Sequence, residues 1–263
     1  SEVQKYNELL RQSFIDIGQL EHPVIKDEYW DGKKRRLVDR AISTGHFNKQ
    51  VRRIFYRGSW DLGGRYHGGF WQQIAGEMRK NILINDFRTV ELDFSGLHIN
   101  VAYALEGASL ELQDPYEVPL LVSNNKDEQR KWVKSLALMA FNAAEEKKAF
   151  QAFRSAQPKG SLGKRFTDNQ LEQLLTAFKK KHAPIKKYLC SDKGVEFMNI
   201  DGRIAAKVIN YFTDKQEPIL CVHDSFICRE QFKDELTDVM NKAVQEELQD
   251  YQIRIDPNKE VTD

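Results

Sequence analysis

The chain has 263 residues, 41% of them hydrophobic and 30% charged, with a formal net charge of +1. That length allows one large domain or two small ones with a substantial core, and the absence of any run of about 18 apolar residues removes the expectation of a membrane partner. Three cysteines, Cys190, Cys221 and Cys228, form no C-x-x-C pair, which argues against a disulfide framework or thiolate zinc site and predicts a reducing, cytoplasmic setting.

In chain order, "SEVQKYNELLRQSF" is a charged amphipathic pattern without a signal-peptide apolar core. Residues 1–56 read as helices, with Leu9, Phe14 and Ile17 spaced by three to five. "YRGSWDLGGRYHGGFWQQI", 56–74, holds five glycines; it breaks any helix there and predicts backbone that must approach something closely. "TVELDF" alternates as a half-buried strand, with Val90, Leu92 and Phe94 on one face and Glu91 and Asp93 on the other. "LHINVAYALEG" predicts a helix stopped by Gly107.

A long helix is predicted from about Lys126 to Phe150, its apolar face formed by Trp132, Leu136, Met139 and Ala143. A basic helix at about 167–182 ends before Pro184, and "NIDGRIAAKVINYF" predicts another, buried along Ile204, Val208 and Tyr211. "PILCVHDSFIC" then reads as strand, polar turn and strand. Helices and strands do not alternate regularly, so the predicted class is α+β.

The small net charge hides two basic zones. Residues 33–53 hold eight Lys/Arg against Asp39, and residues 147–187 hold eleven against Asp168 and Glu172. Such zones suit a polyanion as well as they suit solvated surfaces. Asp93 and Asp224 each leave a run of strand residues among apolar neighbours. A carboxylate there forms a turn or cap, or needs a cation or hydrogen-bonded partner. Two converging carboxylates can hold divalent metal ions for a phosphoryl displacement, and oxygen-only ligands favour Mg²⁺. In "RKWVKSLALMAFNA", Arg130 and Lys134 are neighbours on one helical face. They are either solvated surface cations or a triphosphate clamp, with Arg as a fork and Lys as a point charge.

Taken together, these segments resemble the palm and fingers of family A DNA polymerases and of single-subunit phage and mitochondrial RNA polymerases. "DFSGLHI" is similar to motif A, "RKWVKSLALMAFNA" to motif B through Arg130 and Lys134, and "CVHDSFI" to motif C. "NIDGRIAAKVI" is similar to the helix before motif C, and "WDLGGRY" to the segment upstream of motif A in the RNA polymerases. The resemblance implies an antiparallel palm at 57–125 and 191–263, inserted helical fingers at 126–190, and a reduced thumb-like helical segment at 1–56. It implies two Mg²⁺ ions held by Asp93, Asp224 and the Phe94 carbonyl. Lys134 becomes the catalytic cation beside the α-phosphate, able to protonate pyrophosphate, and Arg130 binds the outer phosphates. His223 falls near a primer terminus. Arg65 falls near template or product strand, and Arg52 and Arg53 of the basic run "VRR" hold strand phosphates from the thumb-like segment. By its composition the aromatic-glycine stretch with Arg65, Tyr66, Phe70 and Trp71 either stacks on bases or forms a small hydrophobic satellite.

Departures from the family pattern are specific. His98 and Asn100 replace the motif A Glu and Arg of the DNA polymerases, and Asn142-Ala143 replaces the Tyr-Gly that ends motif B. Phe141 is the alternative aromatic platform for a base, and His98 and Asn142 leave the choice of sugar open. The implied activity is a Mg²⁺-dependent, template-directed nucleotidyltransferase that takes nucleoside triphosphates and template and primer strands, with a replication partner protein if processivity is needed. Primase or RNA polymerase activity, a catalytically silent polymerase-like module that binds nucleic acid, and a metal-dependent nuclease are the competing expectations.

Overall fold

The computed structural model describes residues 1–18, 20–31, 36–111 and 114–257. Lys33, Lys34 and Arg35 of the basic run lie outside the described residues, as does the tail 258–263. Helix α1 (Glu2–Gln12) is capped reciprocally by Ser1 and Gln4 and buries Tyr6, Leu9 and Leu10. Beyond it the helical expectation for residues 1–56 is corrected, because the chain runs as strands β1 (Ile15–Ile17), β2 (Val24–Asp31), β3 (Arg36–Ser43) and β4 (Val51–Phe55). The cause is local. "VIKDEYW" is rich in β-branched and aromatic residues whose side-chain freedom a helix restricts, and Val38 and Ile42 of the partner strand lie opposite Tyr29 and Ile25. β2 and β3 pair antiparallel from Val24–Ser43 to Asp31–Arg36.

β5 (Gly63–Gly68) returns antiparallel along β4. A one-turn helix α2 (Gly76–Arg79) precedes β6 (Ile82–Ile84) and β7 (Phe87–Phe94), where the predicted alternation holds: Leu92 and Phe94 are buried and Glu91 and Asp93 half-buried. Helix α3 (Leu97–Leu105) ends as expected near Gly107, whose φ of 63° is left-handed. The predicted long helix is instead two, α4 (Lys126–Asn142) and α5 (Glu146–Ala156). Asn142 turns its side-chain amide back to Leu138 O at 2.8 Å, and Ala143 is extended. A short side chain that bonds its own backbone competes with helix continuation.

α6 (Asp168–Lys181) and α7 (Gly194–Asp214) match expectation in place. Tyr211 does not, for it is 43% exposed and donates its hydroxyl to Glu235. The predicted hairpin is β8 (Leu220–Val222) and β9 (Ser225–Arg229), followed by α8 (Lys233–Glu247) and β10 (Ile255–Pro257). One antiparallel sheet runs β1-β6-β7-β9-β8, with β10 also paired to β7, and the class is α+β.

The chain packs as two compact units, Ser1–Leu97 with Met198–Asp263, and His98–Phe197. The inserted unit thus starts and ends outside the 126–190 drawn from sequence, and the N-terminal segment packs within the first unit. In that unit α8 lies on β7 and β9 with Leu236 and Met240 fully buried. The second has its own core, where Trp132, Phe153, Phe166 and Phe178 are buried. Among the described residues no helix is long and apolar enough to cross a membrane.

Candidate metal and nucleic-acid site

Strand register brings the backbones of the two aspartates side by side. β8 and β9 are joined by the two-residue turn His223-Asp224, with Val222 opposite Ser225. Tight hairpin turns need left-handed backbone, and His223 adopts it at φ 57°. Register then sets Ser225 opposite Asp93, and the Phe94 N–H donates to the Asp224 carbonyl at 3.2 Å. Asp93 and Phe94, at the end of β7, are therefore neighbours of Asp224 in the β8–β9 turn. On the other side of Asp93, β10 sets Asp256 directly opposite, where Asp256 is ion-paired to Arg254 at 2.9 Å. This oxygen-only set fits a hard divalent cation that takes the rest of its shell from water or ligand oxygens. Among the described residues no group of three or more His, Cys, Asp and Glu side chains is arranged to hold a metal ion.

Buried ion pairs frame these strands. Glu91 shares the Asp93 face. It accepts two hydrogen bonds from Arg79, at 2.9 and 3.0 Å, and one from Ser225 Oγ at 2.6 Å. Asp201, on α7, is 2% exposed and ion-paired to Arg65. Burial pushes its carboxyl up to about 6; the Arg65 charge pulls it down, while the Asp224 charge adds to the rise. His223 is held below the usual histidine range by burial, then by the charges of Arg65 and His67. Its Nδ1 is buried without a hydrogen-bond partner among the described residues.

The β4–β5 ribbon divides the predicted nucleic-acid residues between two faces. Arg52 pairs with His67 and Ile54 with Arg65, so Arg52, Arg65 and His67 share one face, where the His67 ring lies 5.6 Å from His223. Burial lowers the pKa of His67, and the charges of Arg65 and Arg52 lower it further. Arg53 and Tyr66 face the other way. Arg53 donates to Gly64 O at 2.7 Å and its guanidinium lies 5.0 Å from the Phe55 ring centre, while Tyr66 is buried at 6.3 Å from the Tyr6 ring. The strand-contact role expected of Arg53 and Tyr66 is thus corrected: both are spent on the fold. Phe70 and Trp71 are core residues, and Trp71 donates to Cys221 O at 3.0 Å. The close approach expected of the glycine-rich stretch is made at α7: a Cβ on Gly202 would lie 2.5 Å from Gly64 O.

In the second unit Arg130 and Lys134 sit one turn apart on α4, and both approach Tyr116, at 5.7 and 5.8 Å from its ring centre. Arg130 is ion-paired to Asp114, and Lys134 is exposed. Burial raises the Asp114 carboxyl, but hydrogen bonds from Arg130 and the Tyr116 N–H outweigh it and hold it below its ordinary value. Tyr116 was not anticipated from sequence; the turn-forming "DPY" around it is the signal that marks it. His98 and Phe141 are both buried against Phe197, at 5.9 and 5.5 Å between ring centres. Phe141 is an interior residue, which corrects its expected role as an exposed platform. Asn142 is half-buried, and a Cβ on Gly194 would collide with its side chain.

No family model matches the chain, and no curated protein does. Among solved structures it is similar to the POL domain of Pol1 from M. smegmatis in complex with DNA primer-template and dNTP. The identity is 12% and the TM-score 0.46 over 76% of this chain. The chain spans less than half, 45%, of the length of that one. A likeness at that level carries no argument about activity, which rests on the residues described above.

Proposed function

We propose that the chain is a Mg²⁺-dependent, template-directed nucleotidyltransferase that adds nucleoside triphosphates to a 3′-OH and releases pyrophosphate. The observation that carries this reading is the register that makes Asp93 and Phe94 of β7 neighbours of Asp224 in the turn that leads into the paired strand β9. Asp93, Asp224 and the Phe94 carbonyl would hold two Mg²⁺ ions, whose chemistry is to stabilise the attacking and leaving oxygens of an in-line displacement.

The chain's own residues position the reactants, which is most of what phosphoryl transfer needs. The 3′-oxygen forms its bond to the α-phosphorus as the bond to the bridging oxygen breaks. The hydroxyl proton passes to solvent, and Lys134 gives a proton to the departing pyrophosphate. Arg130 leaves Asp114 to take the outer phosphates, a release made easier by the partial exposure of both groups. On the face shared by Arg52, Arg65 and His67, exposed Arg52 supplies the cation for strand phosphates and His67 a hydrogen-bonding ring beside it; such contacts set register without reading sequence. His223 borders the primer end, and His98 and Asn142 are assigned to the sugar.

Primer extension on a labelled template tests the reading. Elongation by the wild type, lost in Asp224→Ala with strand binding retained, supports it. The interior position of Phe141, which removes one platform for the incoming base, favours a second reading as a catalytically silent nucleic-acid-binding module. Binding without extension, under deoxyribo- and ribonucleotides alike, selects that one.

A further inference from the structure

We propose that the loop joining β4 to β5 is a stacking platform for an unpaired base of single-stranded nucleic acid, with Trp60 as the ring that receives it. The loop is a built structure. Tyr56 N–H donates to Leu62 O at 2.9 Å, Ser59 N–H to Tyr56 O at 3.1 Å and Asp61 N–H to Ser59 Oγ at 3.1 Å. From α7, the Asn199 amide donates to the carbonyls of Trp60, at 2.9 Å, and Gly63, at 3.2 Å. Tyr56 lies so close over Gly63 that a Cβ there would come 2.3 Å from its ring.

On this tied-down backbone the Trp60 side chain is held outward, 79% exposed, with the Phe55 ring packed edge-on at 4.7 Å and the Arg53 guanidinium 5.0 Å beyond on Phe55. Tyr56 adds a second, partly exposed ring. A single exposed aromatic needs no explanation by itself. Charge identifies its ligand. From 52 to 65 the chain carries Arg52, Arg53, Arg57 and Arg65 against Asp61; of these arginines Arg65 is ion-paired to Asp201 on α7 and Arg53 is held over Phe55, and the field of Glu2 reaches the ribbon at Tyr66. A rigid ring among arginines matches the π-face and phosphate of a polynucleotide, because base–aromatic stacking tolerates any sequence and the cations track the backbone.

The inference rests on nucleic acid being the ligand of this unit and not on catalysis, so it is tested in Asp224→Ala. Binding of labelled oligothymidylate and of a blunt duplex is followed by fluorescence anisotropy, alongside thermal melting. Adding Trp60→Ala is expected to weaken single-strand binding by about tenfold, with Trp60→Phe restoring most of it, and with duplex affinity and melting unchanged. Equal single-strand affinity with and without the ring overturns the proposal, as does an equal loss on duplex and single strand. Failure of the Asp224→Ala protein to bind oligothymidylate at all overturns it too and leaves the ring to a protein partner. Extension activity alone separates this outcome from the fate of the proposed chemistry.

Discussion

The surroundings of Asp93 and the Arg130 face of α4 handle charge differently. In the first, Arg65–Asp201 and Arg79–Glu91 are nearly desolvated, with side-chain exposures of 18% and 2%, and of 16% and 9%. In the second, Arg130–Asp114 stands at 39% and 25%, and Lys134 is exposed. Desolvated pairs are costly to break from one side, so they act as fixed struts around Asp93 and Asp224. Exposed pairs are worth little to stability and can exchange one anion for another. The first region is thus suited to holding a geometry, and the second to exchanging the anion that Arg130 holds.

The largest effect that tests this contrast is Arg65→Ala. It leaves Asp201 buried without its partner and should cost about 3–5 kcal/mol in urea denaturation; a loss below about 1 kcal/mol would erase the distinction. Gly202→Ala comes next, because its methyl would meet the Gly64 carbonyl of the ribbon. A loss of about 1–3 kcal/mol is expected, with single-strand binding weakened where the ribbon shifts. Arg130→Ala and Lys134→Ala should change unfolding by less than about 1 kcal/mol, yet raise the KM for nucleoside triphosphate by about tenfold or more. An unchanged KM would remove the triphosphate role.

The smallest effect is the share of the pH slope that His182 contributes. His182 is fully buried, with Nδ1 3.1 Å from the Tyr103 hydroxyl and Nε2 2.7 Å from Pro115 O. The carbonyl only accepts, so the ring proton sits on Nε2 and Nδ1 receives the tyrosine. Burial holds its pKa below 6.5 despite the bond to Pro115. Below pH 6.5 the unfolded chain therefore binds the proton that the folded one refuses. This part of the stability is complete above 6.5 and is lost as pH falls through the folded pKa. Thermal melting from pH 7.5 to 5 should show the decline, and His182→Asn should make it shallower.

The site strands were legible because their signals are local. "TVELDF" alternates, and "PILCVHDSFIC" places a polar pair between two apolar runs, which is how a half-buried strand and a tight hairpin must read. The stretch from Val24 to Ser43 misled because residues that suit a pleated ribbon also recur at intervals a helix tolerates. Pairing at a distance was illegible. Nothing near Arg65 names Asp201 as its partner, and nothing near Arg130 announces Tyr116. Arg52 and Arg53, adjacent in sequence, have opposite fates because neighbouring strand residues point to opposite faces.

The pairing of β10 with β7 has a consequence for how the molecule is made. Asp93 is translated early, but the strand that sets Asp256 opposite it is translated after every helix described above. Until the ribosome has passed Pro257, the edge of β7 beside Asp93 lacks that neighbour, and contacts between segments so far apart close slowly. The nascent chain thus carries β7 with one edge unpaired, and the surroundings of Asp93 are completed only once β10 has been made.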